Sequence, residues 1–449
     1  MKAVQLYPHQ QKALKETKQF NNVGYFLDMG LGKTFVGSEK MIQLNKRVNL
    51  VICQKSKVND WVQHFEKYYK QEFVYYPKLR KIQNDVFVFD LTKKDRYKDF
   101  FEPNPFGEST DDESAPTIVG IINYELAFRR PELLNLEHFT LMLDESSMIT
   151  NPTAKRTKFI HKLKPDNCIL LSGTPTGGKY EKLWSQLKLL GWNISKDLFY
   201  RQYVVTEWID DDSGFRIPVI TGYKNVDRLK SKLKQHGCIF MKTEEVFDLP
   251  EKIQIPVMVN NSKEFSRFMR NSIVELPDGT ELIGDTALTK RLYARQLCGQ
   301  YSKAKMAAFV DLVGSTDDRL IVFYNFTEEL NLMKEAVALM DKPISIVNGD
   351  TKDLTAYENN SDSVTFVQYQ AGAMGLNLQK SNKIVYFTLP QSSELFEQSM
   401  KRIHRIGQSK NCFYYILMVK NSVEGVILET LKMRKDYDDE LFKEYEETF

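Results

Sequence analysis

Short apolar runs alternate with amphipathic segments along most of the 449-residue chain. Six runs in its first part have the length and composition of buried strands: VGYFLDM (23–29), NLVICQ (49–54), DVFVFD (85–90), TIVGIINY (117–124), FTLMLDE (139–145) and NCILLSG (167–173). Segments of helical periodicity lie between most of them, for example at 33–44 and 58–69. Because a parallel crossover needs room for a helix, this alternation predicts a parallel sheet with both faces covered. We therefore expect an α/β domain over residues 1–176.

The pattern becomes helical at about residue 177 and returns to strand–helix alternation near residue 250. Apolar runs of this second series occupy 319–326, 344–349, 363–370, 383–389 and 412–419, and a charged helical tail begins at 423. They predict a second α/β domain with a C-terminal helix over 250–449, and a small helical insertion with a linker over 177–249. Residues 102–116 are rich in proline, serine and acid, which predicts a surface loop. Its acidic run is either a partner site or, as is more common, a solvated loop.

Composition excludes a few classes of protein. There is no run of about 18 apolar residues, so a membrane span is not expected. The N-terminal segment turns polar at once and lacks the apolar stretch of a signal peptide, which predicts a cytoplasmic protein. The five cysteines form no CxxC pair, so we expect reduced thiols rather than a zinc site or a disulfide framework. The net charge of +3 does not decide whether the partner is a nucleic acid.

The segment DMGLGKT (28–34) follows a predicted strand and opens a predicted helix. Gly30 and Gly32 would let backbone N–H groups turn inward around phosphate oxygens at a helix N-terminus. Lys33 would reach the β- and γ-phosphates, and the Thr34 hydroxyl would ligate magnesium. Leu27 stands where the strict GxxxxGK[ST] pattern has glycine, so a glycine-rich turn with a surface lysine is the alternative. The candidate nucleotide-binding residues here are Met29, Gly30, Leu31, Gly32, Lys33 and Thr34.

Two adjacent carboxylates, Asp144 and Glu145, stand at the end of an apolar run. At the carboxyl end of a strand, Asp144 could hold magnesium while Glu145 orients or deprotonates the attacking water. Paired acids are common in loops, but a pair that ends a buried run downstream of GKT is much rarer. The two motifs together predict ATP hydrolysis with ATP and Mg²⁺ as cofactors.

Further segments extend the pattern along the chain: LYPHQ (6–10), VICQKSKVNDWVQHF (51–65), LSGTPTGGKYEKLWSQL (171–187), FMKTEEVFDLPEK (240–252), QAGAMGLNLQKSNKIVYF (370–387) and EQSMKRIHRIGQ (397–408). In this order they resemble the motifs of superfamily-two helicases, and more narrowly the Swi/Snf-type double-stranded DNA translocases. The resemblance runs from about residue 5 to 430 and is most specific at RIHRIGQ. It implies two RecA-like P-loop domains. Ser146 and Ser147 depart from it, since the family usually has alanine and histidine there.

The resemblance also implies roles for residues outside the P-loop. Gln10 would read the adenine edge. Arg402 and Arg405 lie three residues apart, so a helix would present both on one face, where they would clamp the charge on the γ-phosphate as the domains close. A basic helix surface or two structural ion pairs is the alternative. Gln398 is expected in the same network, and His404 is expected to make a packing or polar contact rather than to bind a metal.

Contacts to the nucleic-acid backbone are implied in both domains. The residues matched in the first domain are Lys55, Ser56, Asn123, Tyr124 and Asn151, and those in the second are Asn325, Asn348, Gln370, Ala371 and Gly372. Such contacts carry no sequence information. Each asparagine or serine alone is more often a turn residue. Trp61 is expected to be a packing aromatic rather than a platform for stacked bases.

The leading hypothesis is a hinge-closing, DNA-dependent ATPase that moves along double-stranded DNA and remodels forks or displaces bound proteins. The first rival is a helicase that separates strands of DNA or RNA, although the pattern shows no clear wedge hairpin. A rival of another class is a nucleotide-gated clamp that binds DNA without moving, against which Glu145 and both arginines argue. A purely structural protein is the least favoured. The compact chain predicts a bare motor, such as a phage or mobile element encodes, rather than a chromatin remodeller.

Overall fold

The computed structural model describes residues 4–69, 86–101, 117–210, 216–372 and 376–442. They form two compact units: a first that runs to Val246 and also includes the described residues from Asp438, and a second from Phe247 to Tyr437. The predicted acidic loop at 102–116 lies outside the described residues. No helix in the described ranges is long and apolar enough to cross a membrane.

The first unit is built on a seven-stranded sheet in the order β3-β4-β2-β5-β6-β1-β9. Its strands are β1 (Asn22–Leu27), β2 (Val48–Cys53), β3 (Val86–Asp90), β4 (Thr117–Asn123), β5 (Phe139–Asp144), β6 (Asn167–Ser172) and β9 (Cys238–Met241), with a separate pair β7 (Val204–Asp210) and β8 (Arg216–Tyr223). All pairings within the seven-stranded sheet are parallel. The six strands predicted from the apolar runs are confirmed.

The helices of the first unit are α1 (Pro8–Glu16), α2 (Lys33–Gln43), α3 (Val58–Tyr68), α4 (Lys94–Phe101), α5 (Tyr124–Ala127), α6 (Lys155–Ile160), α7 (Leu183–Leu189), α8 (Lys196–Tyr203) and α9 (Val226–Gln235). Helix α2 lies very close to the sheet, since a Cβ at Gly37 would be 2.9 Å from the side chains of Leu171 and Met142. A glycine is needed at that crossing, and it fixes the helix that begins at the P-loop (28–34) against strands β5 and β6.

The stretch 177–249 is not helical throughout, as the periodicity predicted. Helices α7, α8 and α9 are present, but β7 and β8 form an antiparallel hairpin and β9 joins the main sheet beside β1. The β-branched residues of the two hairpin strands favour the extended chain. Strand β9 is a short apolar run, which periodicity alone does not separate from a buried helical turn. The separation of 177–249 as a module of its own stays a prediction.

The second unit has a seven-stranded sheet in the order β10-β18-β17-β13-β16-β14-β15. Its strands are β10 (Lys252–Val259), β13 (Leu320–Tyr324), β14 (Ile344–Val347), β15 (Lys352–Asp353), β16 (Val364–Gln368), β17 (Lys383–Tyr386) and β18 (Cys412–Val419), with a separate pair β11 (Ile273–Glu275) and β12 (Glu281–Ile283). Its helices are α10 (Lys263–Asn271), α11 (Ala287–Cys298), α12 (Lys303–Gly314), α13 (Thr327–Ala338), α14 (Thr355–Asn359), α15 (Tyr369–Gly372), α16 (Ser393–Met400) and α17 (Val423–Phe442).

Both faces of the second sheet are covered. Along β13, Ile321 and Phe323 belong to one apolar cluster, whereas Val322 and Tyr324 belong to another. Successive side chains of a strand point to opposite faces, so two clusters on one strand mean two buried faces. Every pairing in this sheet is parallel except that of the edge strand β15. The prediction of two parallel-sheet α/β domains is confirmed.

Candidate active site

The predicted site residues of the first unit gather at one edge of its sheet. Strands β4, β2, β5, β6 and β1 are consecutive neighbours and run parallel, so their carboxyl ends share an edge. The P-loop follows β1, the carboxylate segment (144–147) begins at the end of β5, and the loop 173–176 follows β6. Lys55 and Ser56 follow β2, and Tyr124 follows β4. Five separate stretches of sequence therefore meet where ligands bind in open α/β sheets.

The P-loop has the backbone geometry of a phosphate cradle. Gly30 and Gly32 have φ angles of 92° and 75°, in the region where a side chain would be strained. A Cβ at Gly32 would also collide with the side-chain amide of Gln10. That amide donates to the carbonyl of Leu31 at 3.2 Å, and Nε2 of His9 lies 3.0 Å from the same oxygen. Two residues of helix α1 therefore hydrogen-bond the P-loop. Gly32 caps the N-terminus of α2, which is where a phosphate group would be expected to bind.

Lys33 lies in the first turn of α2, and its ammonium reaches back over the end of β1. Nζ donates to the carbonyl of Leu27 at 2.9 Å and lies 3.4 Å from that of Asp28. A Cβ at Gly173 would come within 3.3 Å of the same Nζ, so the loop after β6 passes close to the lysine. The prediction of a surface lysine on a glycine-rich turn does not match this arrangement.

Asp144 is held by a tryptophan from another part of the chain. Nε1 of Trp61 donates to Oδ2 of Asp144 at 2.8 Å. Burial raises the pKa of Asp144, while the Trp61 hydrogen bond and the positive charge of Lys33 act in the opposite direction. Trp61 is only 3% exposed and stacks on Phe65, so the prediction of a packing aromatic is confirmed. Its hydrogen bond to the carboxylate was not foreseen.

Glu145 has a left-handed backbone, with φ 53° and ψ 61°. A non-glycine residue in this conformation costs of order 1–3 kcal/mol and persists only where its surroundings enforce it. The hydroxyl of Tyr124 is one such constraint, since it lies 2.9 Å from the carbonyl of Asp144 and 3.4 Å from that of Glu145. Such strain concentrates at functional sites, which agrees with the catalytic role predicted for Glu145.

A buried bridge joins the carboxylate segment to the loop after β6. The hydroxyl of Ser146 donates to Oε1 of Gln186 at 2.7 Å, and Nε2 of Gln186 donates to the carbonyl of Pro175 at 2.7 Å. Ser146 and Gln186 are both fully buried. The serine that departs from the family pattern is therefore engaged in a defined contact, through a glutamine in helix α7. Gln186 was missed as a site residue, and its signal was its place within the motif segment 171–187.

We expect a measurable coupling energy between Ser146 and Gln186. Ser146→Ala and Gln186→Leu should each destabilise the protein by about 1–3 kcal/mol, because each leaves a buried partner without its hydrogen bond. The double variant should cost less than the sum of the two by about 0.5–3 kcal/mol. Denaturant unfolding of the four proteins measures this difference. Gln186→Leu combined with Thr157→Val, another buried hydroxyl, should be additive, whereas additivity of the first pair would refute the bridge.

A buried histidine supports the same region. His64 in α3 lies with Nε2 3.0 Å from the hydroxyl of Ser38 in α2, and its ring contacts Phe35 and Trp61. Burial lowers the pKa of His64 from 6.5 to about 4. Between pH 6.5 and 4, His64 is therefore protonated in the unfolded chain but neutral in the folded protein. His64 therefore contributes full stability above pH 6.5, and that contribution is lost as the pH falls towards 4.

His64→Gln is expected to remove this part of the acid sensitivity. Between pH 6.5 and 4, the free energy of unfolding of the wild type should fall by up to about 3 kcal/mol more than that of the variant. Urea unfolding across this pH range measures it. His138→Gln is the matched control, since the His138 side chain is 84% exposed. Equal pH dependence in the wild type and His64→Gln would contradict a neutral buried histidine.

The oxygen groups at this edge fit a magnesium ion shared with a nucleotide. Thr34 stands in the first turn of α2 and Asp144 at the end of β5, and hydroxyl and carboxylate oxygens are the ligands that Mg²⁺ prefers. Across the described ranges, no three histidine, cysteine or acidic side chains cluster as a metal site. Mg²⁺ in proteins is usually bound by one or two protein oxygen groups together with substrate phosphates and water. The raised pKa of Asp144 also agrees with a carboxylate that needs a nearby cation.

In the second unit, the helix predicted to carry both arginines ends too early. Helix α16 stops at Met400, and residues 401–407 form turns. The carbonyl of Arg402 accepts from the amide of Leu378 instead of continuing a helix. The prediction that a helix presents Arg402 and Arg405 on one face is therefore wrong.

The two arginines differ in their surroundings. Arg402 is 1% exposed, and its Nη1 donates to the carbonyl of Leu376 at 3.3 Å. Arg405 is half-buried and forms no ion pair among the residues that the structure describes, and burial lowers its pKa. Gln398 is buried in α16, with its amide 3.4 Å from Glu394. Nε2 of His404 lies 2.8 Å from the carbonyl of Pro250, so a polar contact is confirmed there.

The predicted nucleic-acid contacts of the first unit have different environments. Lys55 and Ser56 are exposed in a 3₁₀ turn after β2. Asn151 is exposed, but its side-chain oxygen accepts from the amide and hydroxyl of Thr153, as in a turn. Asn123 is buried and donates to Glu125. The ring of Tyr124 is in the core, 1% exposed, so its side chain does not present itself to a nucleic acid and that interpretation is corrected.

The predicted nucleic-acid contacts of the second unit lie just after the ends of strands β13, β14 and β16. The Asn325 amide is committed to Thr388 and Leu389, and the Asn348 oxygen accepts from two backbone amides of its own turn. Gln370 is exposed and Ala371 is buried in the short helix α15, which Gly372 ends. Of these five, Gln370 is the side chain with the freest access to solvent.

Comparison with known proteins places the chain in a family. A model described as the SNF2-related domain matches residues 9–299, which is more than half of the chain. The chain belongs to the SNF2-related family. The helicase conserved C-terminal domain matches residues 304–407 of the same SNF2-related chain. The resemblance seen in the motifs is thereby confirmed.

Curated relatives of this SNF2-related chain are much longer. One is the SWI/SNF-related matrix-associated actin-dependent regulator of chromatin subfamily A member 1 of Mus musculus, 23% identical over 91% of this chain and 40% of the relative. Another is the ATP-dependent DNA helicase DDM1 of Arabidopsis thaliana, 22% identical over 89% of this chain and 56% of the relative. The chain thus spans about half the length of these relatives. Among solved structures, it aligns with the Sulfolobus solfataricus SWI2/SNF2 ATPase core in complex with dsDNA, at 20% identity and a TM-score of 0.40, over 97% of this chain and 92% of that one.

Proposed function

We propose that this SNF2-related chain hydrolyses ATP to move along double-stranded DNA. The observation that carries the proposal is the meeting of Lys33, Asp144 and Glu145 at the carboxyl edge of one sheet, behind a P-loop in phosphate-cradling geometry. These groups supply the parts that phosphoryl transfer to water needs, which are a cradle, a cation and a carboxylate for the attacking water.

Each group has a separate task. The amides of the P-loop and the ammonium of Lys33 bind and orient the β- and γ-phosphates. Thr34 and Asp144 would hold Mg²⁺, which when bound neutralises charge on the phosphates. Glu145 orients the water and accepts its proton. We assign Arg405 as the residue that stabilises charge on the transferred phosphoryl group, and we assign Arg402, with its buried contacts, to holding the turn that carries it.

Movement follows if nucleotide state sets how the two units engage the track. ATP would favour a state in which its γ-phosphate is contacted from both units, and hydrolysis would remove that differential contact. Separate grips on the DNA backbone by each unit would then convert the cycle into steps. Lys55 and Ser56 in the first unit and Gln370 in the second are exposed at strand ends, and they are our foremost candidates for these grips.

Duplex DNA is the favoured track because the exposed candidates suit a backbone rather than unstacked bases. Lysine, serine and glutamine hydrogen-bond phosphate oxygens, whereas single-strand binders usually stack bases on aromatic side chains. The tryptophan of the segment after β2, Trp61, is buried and turned towards Asp144. It is therefore not available as a stacking platform.

One observation favours strand separation as a second candidate. The sequence showed no clear wedge, but the structure has the β7–β8 hairpin, on which Trp208 is 63% exposed and Ile209 is 46% exposed. An exposed aromatic on a hairpin is a shape that could divide two strands. Trp208→Ala in a fork-unwinding assay separates the candidates: lost unwinding with retained duplex-stimulated hydrolysis would favour a wedge.

The proposal is tested by the steady-state ATPase rate with duplex DNA, single-stranded DNA and RNA at matched salt. We expect duplex DNA to give the highest rate, and an increase in ionic strength to raise the DNA concentration needed, because the contacts are to phosphates. Glu145→Gln should show no stimulation with any polymer. Stimulation by single strands or RNA alone would overturn the choice of track, and tight DNA binding without turnover would favour a clamp.

A further inference from the structure

The side chain of Tyr124 connects two strands that are not neighbours. Tyr124 is the first residue of α5, directly after β4, and Asp144 ends β5. Strand β2 lies between β4 and β5 in the sheet. The Tyr124 hydroxyl nevertheless reaches the carbonyl of Asp144 at 2.9 Å and lies 3.4 Å from that of Glu145. The tyrosine side chain therefore reaches across the intervening strand β2, since β4 and β5 are two strand spacings, or about 10 Å, apart.

These contacts act on the residue whose backbone is strained. The carbonyl of Asp144 belongs to the peptide group that precedes Glu145, so its direction is tied to the φ of Glu145. A hydrogen bond that fixes this carbonyl favours one orientation of the peptide group. Glu145 has φ 53°, which a released backbone would tend to leave. The direction of the Glu145 side chain depends on that backbone angle.

The surroundings keep the hydroxyl in place as a donor. Tyr124 is fully buried, and because a carbonyl oxygen can only accept, the phenol is the donor in these contacts. The next residue, Glu125, is exposed; it accepts from Asn123 and lies 3.8 Å from Arg156. Within the segment 123–125, Glu125 is therefore the exposed residue, while Tyr124 is buried against the carboxylate segment.

We infer that Tyr124 is a positioning residue that holds the backbone of Glu145 in its working conformation. This rests on the proposed function, in which Glu145 orients the attacking water. The contacts of the tyrosine hydroxyl that carry the inference are with the backbone carbonyls of Asp144 and Glu145.

The test is Tyr124→Phe, which removes one oxygen and keeps the ring. At saturating duplex DNA, kcat should fall roughly tenfold, because the loss of one hydrogen bond that positions Glu145 should raise the activation free energy by about the value of that bond. The KM for ATP and the DNA concentration at half-maximal stimulation should stay within about twofold of wild type. Tyr25→Phe is the matched control, because Tyr25 is also fully buried and its hydroxyl contacts Thr17 at 2.6 Å, away from the carboxylates. It should keep the wild-type kcat, and thermal unfolding should show both variants folded.

Three results would overturn the inference: an unchanged kcat, a raised half-maximal DNA concentration at unchanged kcat, or equal losses of kcat in both variants. The second would mean that the hydroxyl itself contacts DNA, and the third that any buried hydroxyl matters equally. If duplex DNA fails to stimulate the wild type, the proposed function fails by itself. The DNA-free rate then decides: a kcat lowered in Tyr124→Phe alone supports the hold on Glu145, and an unchanged rate refutes it.

Discussion

Glu145→Gln is expected to lower kcat for ATP hydrolysis by about 10²–10⁴-fold, the usual contribution of a positioned general base. The change removes the negative charge and the proton-accepting ability but keeps the shape of the side chain. ATP binding should persist, because the P-loop and Lys33 carry it. Single-turnover hydrolysis and equilibrium nucleotide binding measure the two properties separately.

Two further variants serve as a control and a comparison for Glu145→Gln. Glu137→Gln changes an exposed glutamate in the same unit and should leave both properties unchanged. Lys33→Ala should abolish turnover and also weaken nucleotide binding, since its ammonium lies over the strand end where phosphates would bind. If Glu145→Gln kept more than a tenth of the wild-type kcat, another group would have to activate the water.

Arg405→Ala is expected to lower kcat by about a thousandfold with little change in ATP affinity, as for an arginine that meets charge only in the transition state. Arg405 is half-buried and has no ion-pair partner in the described part of the chain, so it is available for a ligand. Its pKa is lowered by burial, which an incoming phosphate would reverse. Transient kinetics at saturating ATP, together with nucleotide titrations, measure the two effects.

Arg402→Ala is the informative companion. Because Arg402 is buried with Nη1 on the Leu376 carbonyl, its loss should destabilise the second unit and lower the midpoint of thermal unfolding. Arg405→Ala should leave that midpoint close to wild type. A change in ATP affinity alone on losing Arg405, with kcat intact, would remove it from the catalytic assignment.

Local patterns in the chain predict much of this architecture. The apolar runs, each bounded by polar or glycine-rich segments, predict the strands of both sheets except β9, β10 and β15. GKT after the first run predicts the loop whose glycines have φ angles of 92° and 75°. An apolar run and the GKT motif are each contained in a short stretch of sequence. They can therefore be recognised from hydrophobic periodicity and motif spacing without knowledge of the tertiary structure.

The contacts that organise the site were beyond such rules. Trp61 and Asp144 are 83 residues apart in sequence, Ser146 and Gln186 are 40 apart, and Tyr124 and Asp144 are 20 apart. Each of these contacts depends on the order of the strands in the sheet, and that order cannot be deduced from any single apolar run. The end of α16 at Met400 was missed for a similar reason, because a carbonyl accepts from the distant Leu378 rather than from the next turn.

The most direct measurement of motion is displacement of a third strand from duplex DNA. A triplex-forming oligonucleotide is placed on a duplex, and its release is followed with ATP and Mg²⁺, with Glu145→Gln as the control. The account predicts ATP-dependent release by the wild type while the underlying duplex stays paired. Release no faster than that of Glu145→Gln, despite ATP hydrolysis by the wild type, would contradict movement along duplex DNA.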